Sequence, residues 1–142
     1  MQSIDILLVE DNEGDILLTR EALQDLKMIN RISTVKDGVE AINYLAKKDH
    51  FKNVSTPHLI LLDINLPKLN GQAVLKQIKT NSALDHFPVI MVSTSSCQKE
   101  IAESLTNGAN GYLTKPIIVS EFVQTIFSIE KLGLKSNQTI IS

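Results

Sequence analysis

Short apolar segments recur at fairly even intervals along the chain, and no other feature of the sequence restricts its fold as strongly. Five of them predict strands, at residues 4–9, 32–35, 59–62, 89–92 and 112–113. The first, third and fourth are apolar on both alternating faces, which is typical of parallel strands that helices cover on both sides. A sandwich of antiparallel sheets would alternate apolar and polar residues more regularly.

Between these strands lie five segments in which apolar residues recur at the spacing of an amphipathic helix. Their apolar residues are Leu18, Ala22 and Leu26; Val39, Ile42 and Leu45; Val74, Leu75 and Ile78; Ile101, Ala102 and Leu105; and Phe122, Ile126 and Ile129. The alternation of strands and helices predicts an α/β fold: a doubly wound, five-stranded parallel sheet with right-handed crossovers and five helices on its two faces.

Length and charge limit the classes of protein to which the chain can belong. At 142 residues the chain has the size of one domain, which we place at residues 1–133, with a short tail at 134–142 and no effector domain. The 14 basic and 16 acidic residues leave a net charge of -2, so no basic excess favours binding of nucleic acid or of an acidic membrane. No secretion signal or long apolar run is present, which predicts a cytoplasmic protein.

Polar residues stand at the carboxyl ends of four predicted strands. They are Glu10 and Asp11 after the first strand, Asp63 after the third, Ser93 and Thr94 after the fourth, and Lys115 after the fifth. Ligands of an open parallel α/β sheet bind beyond the carboxyl ends of its strands. We therefore expect these residues to meet at one edge of the sheet.

Three carboxylates that converge at this edge need a cation among them to remain ionised together. Mg²⁺ fits a site of Glu10, Asp11 and Asp63, because it prefers oxygen ligands and uses few carboxylates. The backbone carbonyl of Asn65 is a further candidate ligand. Zinc is not indicated, because Cys97 is the only cysteine and the sequence has no cluster of histidine and cysteine residues.

The same residues suit phosphoryl transfer, which requires an in-line nucleophile and positive groups around the equatorial oxygens. Asp63 is the candidate nucleophile, Lys115 the candidate cation, and Ser93 or Thr94 the candidate hydroxyl donor. Each residue by itself also has an ordinary structural interpretation, such as a helix cap, a turn or a solvated loop. Their joint occurrence at one edge favours a functional site.

Four motifs, at residues 7–12, 62–71, 88–93 and 108–116, resemble the receiver domains of two-component response regulators. The resemblance extends from residue 4 to residue 132. It implies a flavodoxin-like sheet with strand order 2-1-3-4-5 and a cis peptide bond before Pro116. It also implies the following roles: Glu10 and Asp11 as the acidic metal pair, Asp63 as phosphoacceptor, Ser93 as switch hydroxyl, Lys115 as phosphoryl contact and Tyr112 as switch aromatic residue.

Partners are likewise implied by the resemblance. A sensor histidine kinase or phosphotransfer protein is expected to dock near the first helix, at residues 14–26, and a downstream protein is expected to bind the switched surface. Within the family the chain is similar to stand-alone receivers, including those of phytochrome kinases. By analogy with them, a homodimer through residues 97–132 is a hypothesis.

Three other classes of protein remain as alternatives. An aspartate-nucleophile phosphatase needs a second acid two residues after the nucleophile, where this chain has Asn65, and it usually needs inserted cap segments. A nucleotide- or flavin-binding module would have a glycine-rich phosphate loop after the first strand, and none is present. A degenerate receiver that only binds proteins would lack the phosphorylation chemistry. The sequence shows no attached helix-turn-helix module, so direct binding to DNA is not predicted.

Overall fold

The computed structural model of the protein describes residues 3–134. Five parallel strands form one sheet in the order β2-β1-β3-β4-β5. The strands are β1 (Ile4–Val9), β2 (Ile29–Val35), β3 (Leu59–Asp63), β4 (Val89–Ser93) and β5 (Gly111–Thr114). The helices are α1 (Glu13–Leu23), α2 (Gly38–Leu45), α3 (Gly71–Thr80), α4 (Gln98–Thr106) and α5 (Val119–Ser128), with short 3-10 turns at Asp49–Phe51 and Glu130–Leu132. The predicted fold class and strand order are confirmed.

Two apolar cores lie on opposite faces of the sheet, and strand β1 contributes to both. Ile6 and Leu8 join the core that includes Phe122 of α5. Leu7 and Val9 join the core that α2 and α3 cover. This division explains why the central strands are apolar on both alternating faces.

Helices α1, α2 and α3 each begin with a side-chain cap close to the carboxyl edge of the sheet. Asn12, Asp37 and Asn70 are these caps, and each side chain accepts a hydrogen bond from the backbone N–H three residues later. Such a bond satisfies one of the N–H groups that a helix leaves unpaired in its first turn. The caps fix where each helix leaves the edge at which the candidate site lies.

The apolar spacing identified the helices but not always their buried faces. Leu18 of α1 is 59% exposed and Leu105 of α4 is 52% exposed. Leu26 lies three residues beyond the end of α1, and Ser104 is the buried residue of α4. Strand β2 begins at Ile29, earlier than predicted, because two exposed polar residues interrupt its apolar pattern.

The polar connection at residues 47–57 is mostly exposed, but some of its residues reach the core. Phe51, in its 3-10 turn, is buried, and its ring centroid lies 5.2 Å from that of Tyr44. Residues 135–142 of the predicted tail lie outside the described residues. Within residues 3–134, no helix has the length and apolar character needed to span a membrane.

Candidate functional site

The three carboxylates of the predicted metal site meet at the carboxyl edge of the sheet. Glu10, Asp11 and Asp63 each offer a carboxylate oxygen, and these oxygens lie within 4.8 Å of one another. Glu10 and Asp63 are buried, whereas Asp11 is exposed. A set of oxygen donors with one side open to solvent fits a hard divalent cation such as Mg²⁺, which retains several waters.

Lys115 lies at the centre of the acidic residues. Its Nζ is 2.7 Å from Glu10 Oε1, 3.0 Å from Asp63 Oδ2 and 2.8 Å from Asp15 Oδ2. Asp15 was not predicted from the sequence as a site residue. The signal that indicates it is its place in the first turn of α1, three residues after the cap at Asn12.

The electrostatics show how strongly these charges interact. Burial, and then a hydrogen bond shared with Asp63, raise the pKa of Glu10 from 4.5 to about 7, and Lys115 lowers it only in part. Burial lowers the pKa of Lys115, but hydrogen bonds to Asp15, Glu10 and Asp63 outweigh that effect and raise it. Near neutral pH Glu10 is therefore only partly ionised beside the ammonium group of Lys115, and a divalent cation at the site would favour its charged form.

Backbone geometry fixes the orientation of Asp63. Its Oδ1 accepts a hydrogen bond of 3.0 Å from the N–H of Asn65, and its Oδ2 faces Lys115. The loop after β3 folds back so closely that a Cβ on Gly71 would lie 2.3 Å from the carbonyl oxygen of Asp63. Glycine is needed there because the backbone of the next helix approaches the strand end directly. Asn65 stands beside Asp63, and its role as a carbonyl ligand stays a prediction.

The switch residues form a separate hydrogen-bonded group. Ser93 is buried, and its Oγ donates to Glu100 Oε1 at 2.9 Å and accepts from the N–H of Ser95 at 3.1 Å. The hydroxyl of Tyr112 is 2.8 Å from the carbonyl oxygen of Ser95 and 3.1 Å from Glu100 Oε1. Glu100 was missed by the sequence analysis, because only the path of the β4–α4 loop brings it to Ser93.

Thr94 and the start of the β5–α5 loop border a cavity of about 510 Å³ beside Lys115. The cavity is lined by Asp15, Leu18, Thr19, Ala22, Thr94, Lys115, Pro116 and Ile117. Thr94 is exposed, and its role as an alternative hydroxyl donor stays a prediction. The Lys115–Pro116 bond is cis, as the resemblance implied.

One protein family matches the chain over most of its length. Residues 6–127 match the family described as response regulator receiver domain. The chain is 34% identical over 131 residues to the response regulator Rcp1 of Synechocystis, an alignment that covers 92% of this chain and 89% of Rcp1. The solved Mn²⁺-bound form of Rcp1 has a TM-score of 0.74, with 96% of this chain and 98% of that chain covered.

Two further solved structures extend the comparison. The phosphorylated cyanobacterial phytochrome response regulator RcpA is 40% identical, with 99% of each chain covered and a TM-score of 0.76. The bacteriophytochrome response regulator AtBRR is 34% identical, with 95% of this chain and 96% of that chain covered and a TM-score of 0.80.

Proposed function

This chain belongs to the family of response regulator receiver domains, and we propose on that basis that Asp63 accepts a phosphoryl group from a phosphohistidine. It is a signalling protein and not an enzyme in the usual sense, and we propose that it catalyses at most its own phosphorylation and dephosphorylation. One observation carries the proposal. Asp63, 3.0 Å from the ammonium group of Lys115, shares the carboxyl edge with Glu10 and Asp11, whose carboxylates lie within 4.8 Å of its own.

In the proposed reaction an oxygen of Asp63 attacks the phosphorus atom of the donor. The new O–P bond forms an acyl phosphate, the P–N bond breaks, and the imidazole nitrogen keeps the electron pair and takes up a proton. Lys115 holds one phosphoryl oxygen, and the hydroxyl of Ser93 donates to another. The N–H of Asn65 keeps the Asp63 carboxylate in position during the attack.

We assign the metal site to the side chains of Glu10, Asp11 and Asp63 and the backbone carbonyl of Asn65. Mg²⁺ held by these groups would neutralise the carboxylates and would supply positive charge for a phosphoryl oxygen. The relative Rcp1 has been solved with Mn²⁺ bound, and Mn²⁺ takes the same kind of oxygen ligands. This comparison and the acidic cluster support the assignment.

The output of the reaction is a changed protein-binding surface. Ser93 leaves Glu100 and donates to the phosphoryl group. Tyr112 changes position with it, because its hydroxyl is linked to Ser93 through Glu100. A downstream protein then binds the phosphorylated conformation better than the unphosphorylated one. Because the alignments cover 89% to 99% of these relatives, we propose that residues 1–133 act as a receiver whose own surface carries the signal.

We propose that the phosphohistidine donor docks over the cavity beside Lys115. Leu17 and Leu18 of α1 are 58% and 59% exposed, and Leu18 lines the cavity. A helix of the donor that covers Leu18 brings its phosphohistidine to the open side of Asp63. Similarity to RcpA and AtBRR supports a phytochrome histidine kinase as the donor. Since such kinases take the phosphoryl group from ATP, we place the exchange in the cytoplasm.

Exchange of Leu18 for aspartate tests the docking site. We expect slower transfer from an autophosphorylated phytochrome kinase and unchanged phosphorylation by acetyl phosphate. Val39→Asp is the control, since Val39 is similarly exposed on α2. Equal transfer rates for both variants would contradict the docking site and leave the chemistry of Asp63 intact.

A homodimer through residues 97–132 is part of the proposal. Strand β5 is an edge strand of the sheet, and apolar residues next to it are exposed, including Leu105, Ile118 and Val119. Such residues at an edge suit an interface between two copies of the chain. Light scattering with and without a phosphoryl mimic tests it, and a monomer in both conditions contradicts it.

Intact-mass spectrometry after incubation with acetyl phosphate tests the central proposal. We expect one phosphoryl adduct that requires Mg²⁺ and is lost in Asp63→Asn. Asp25→Asn is the matched control, because Asp25 is an exposed acid in the turn after α1. A folded wild-type protein that gains no adduct under any condition would instead indicate a receiver that only binds proteins.

A further inference from the structure

One carboxylate oxygen joins the two candidate switch residues. Glu100 lies in the first turn of α4, is partly buried, and accepts hydrogen bonds at Oε1 from Ser93 at 2.9 Å and from Tyr112 at 3.1 Å. Ser93 ends β4 and Tyr112 lies in β5. This oxygen therefore connects two neighbouring strands with the helix between them.

The hydrogen bond from Ser93 to Glu100 prevents the serine hydroxyl from donating to another group. A serine hydroxyl has one proton to donate, and that of Ser93 is directed to Glu100. Ser93 cannot donate to a phosphoryl oxygen on Asp63 until this bond is broken. The phenol of Tyr112 also has one proton, which lies between Glu100 and the carbonyl oxygen of Ser95.

Helix α4 has few other attachments that would resist movement. Ser104 is its buried residue, and the Ser104 hydroxyl donates to the carbonyl oxygen of Glu100 at 3.0 Å. Gln72 of α3 donates to that hydroxyl at 2.8 Å and accepts from Asn107 at 3.2 Å. Polar contacts thus hold α4 against α3, while the apolar Leu105 faces solvent. Such a helix is easier to displace than one anchored in the core.

We propose that Glu100 is a positioning residue that opposes the switch and transmits its release to α4. The inference rests on the proposed roles of Asp63 and Ser93. When Ser93 turns to a phosphoryl oxygen, the partly buried carboxylate of Glu100 loses a hydrogen bond that is stronger than one between neutral groups. The first turn of α4 then moves outward until water replaces the lost donor, and Tyr112 is released with it.

Tyrosine fluorescence follows this event directly, because the chain has two tyrosines and no tryptophan. Tyr44→Phe leaves Tyr112 as the sole emitter and keeps the ring contact with Phe51. In that background the variants are Glu100→Ala and Glu100→Gln. Glu103→Ala is the matched control, since Glu103 is an exposed acid on the same helix. Each protein is titrated with beryllofluoride, a phosphoryl mimic, in the presence of Mg²⁺.

Loss of the acceptor is expected to lower the half-saturating beryllofluoride concentration about tenfold in Glu100→Ala, which is the scale of one charged hydrogen bond. Glu100→Gln, which keeps an acceptor oxygen without the charge, is expected to lie between the wild type and Glu100→Ala. Before any beryllofluoride is added, emission of Tyr112 is expected to increase in Glu100→Ala, because a carboxylate bonded to the phenol quenches it. The Glu103→Ala control is expected to match the wild type in both measurements.

Two other results would contradict either the role of Glu100 or the function of Asp63. If the wild type responds to beryllofluoride and Glu100→Ala matches the Glu103→Ala control, the role of Glu100 is refuted and the function of Asp63 is unaffected. If the wild type gives no response, the proposed function fails first. Circular dichroism establishes that each variant is folded, and if Glu100→Ala is not, an unchanged Glu100→Gln refutes the inference.

Discussion

Replacement of Lys115 by methionine tests whether this ammonium group holds the metal-free site together. Its Nζ lies within 3.0 Å of oxygens from Glu10, Asp15 and Asp63, and the side chains of Glu10 and Asp63 are 3% and 4% exposed. Methionine keeps much of the length of the lysine side chain and removes its charge. The substitution therefore leaves two buried carboxylates next to each other without a cation.

The expected loss is large for a single substitution. Removal of one partner from a buried ion pair costs about 3–5 kcal/mol, and we take about 3 kcal/mol because Asp15 remains partly solvated. With a urea dependence of about 1.5 kcal/mol per molar, the unfolding midpoint falls by about 2 M. The raised pKa of Lys115 means that its contribution is fully present below pH 10.5 and is lost only as the pH rises through the raised value, so neutral pH shows the whole effect.

Urea unfolding followed by circular dichroism, in EDTA and in millimolar MgCl₂, measures this loss. We expect Mg²⁺ to restore more stability to Lys115→Met than to the wild type, because the cation replaces the missing positive charge. Lys99→Met is the matched control, since Lys99 is an exposed lysine of α4. A Lys115→Met protein as stable in EDTA as this control would refute the electrostatic account of the site.

Two other substitutions test the site from different directions. The pKa of Glu10 is raised from 4.5 to about 7, so its stabilising effect is complete below 4.5 and is lost as the pH rises through 7. In EDTA, thermal unfolding of the wild type should therefore show declining stability between about pH 5 and pH 7.5, and Glu10→Gln should show a flatter profile; parallel profiles would contradict the raised pKa. Gly71→Ala would place a Cβ 2.3 Å from the carbonyl oxygen of Asp63, so we expect a loss of about 2 kcal/mol in urea and slower phosphorylation by acetyl phosphate. Gly14→Ala is the control for Gly71→Ala, because a Cβ on residue 14 meets just the side-chain oxygen of Asn12, at 3.2 Å. Similar losses of stability at both positions would contradict the explanation by steric overlap.

The strands were predictable because their apolar residues leave a repeating pattern in the chain. Residues 4–9 and 59–62 are apolar on both faces, and both segments lie between two apolar cores. The first residues of β2 were not predicted, since Asn30 and Arg31 interrupt the pattern at an edge strand whose sides are partly solvated. The exposed apolar residues of α1 and α4 were also unpredictable, because spacing alone does not tell a core from a surface available to a partner.

The candidate site was predictable in part for a similar reason. Glu10, Asp11 and Asp63 follow apolar strands directly, so parallel pairing brings them to one edge, and the structure places their oxygens together. Asp15 and Glu100 lie on helices, and their contacts depend on how each helix leaves the sheet. No local pattern in the sequence indicates in which direction each helix leaves the sheet or how close it then lies to the site.

The sequence by itself determined the class of fold, the number of strands and the residues that stand at the carboxyl edge, because these follow from the periodicity of apolar residues and from parallel pairing. The tertiary structure alone decided which carboxylates share Lys115 and which acid joins Ser93 to Tyr112. These contacts link residues as many as 105 positions apart, and their geometry is set by loop paths and helix caps. Hydrogen bonds act over about 3 Å, a range that only the folded backbone can fix.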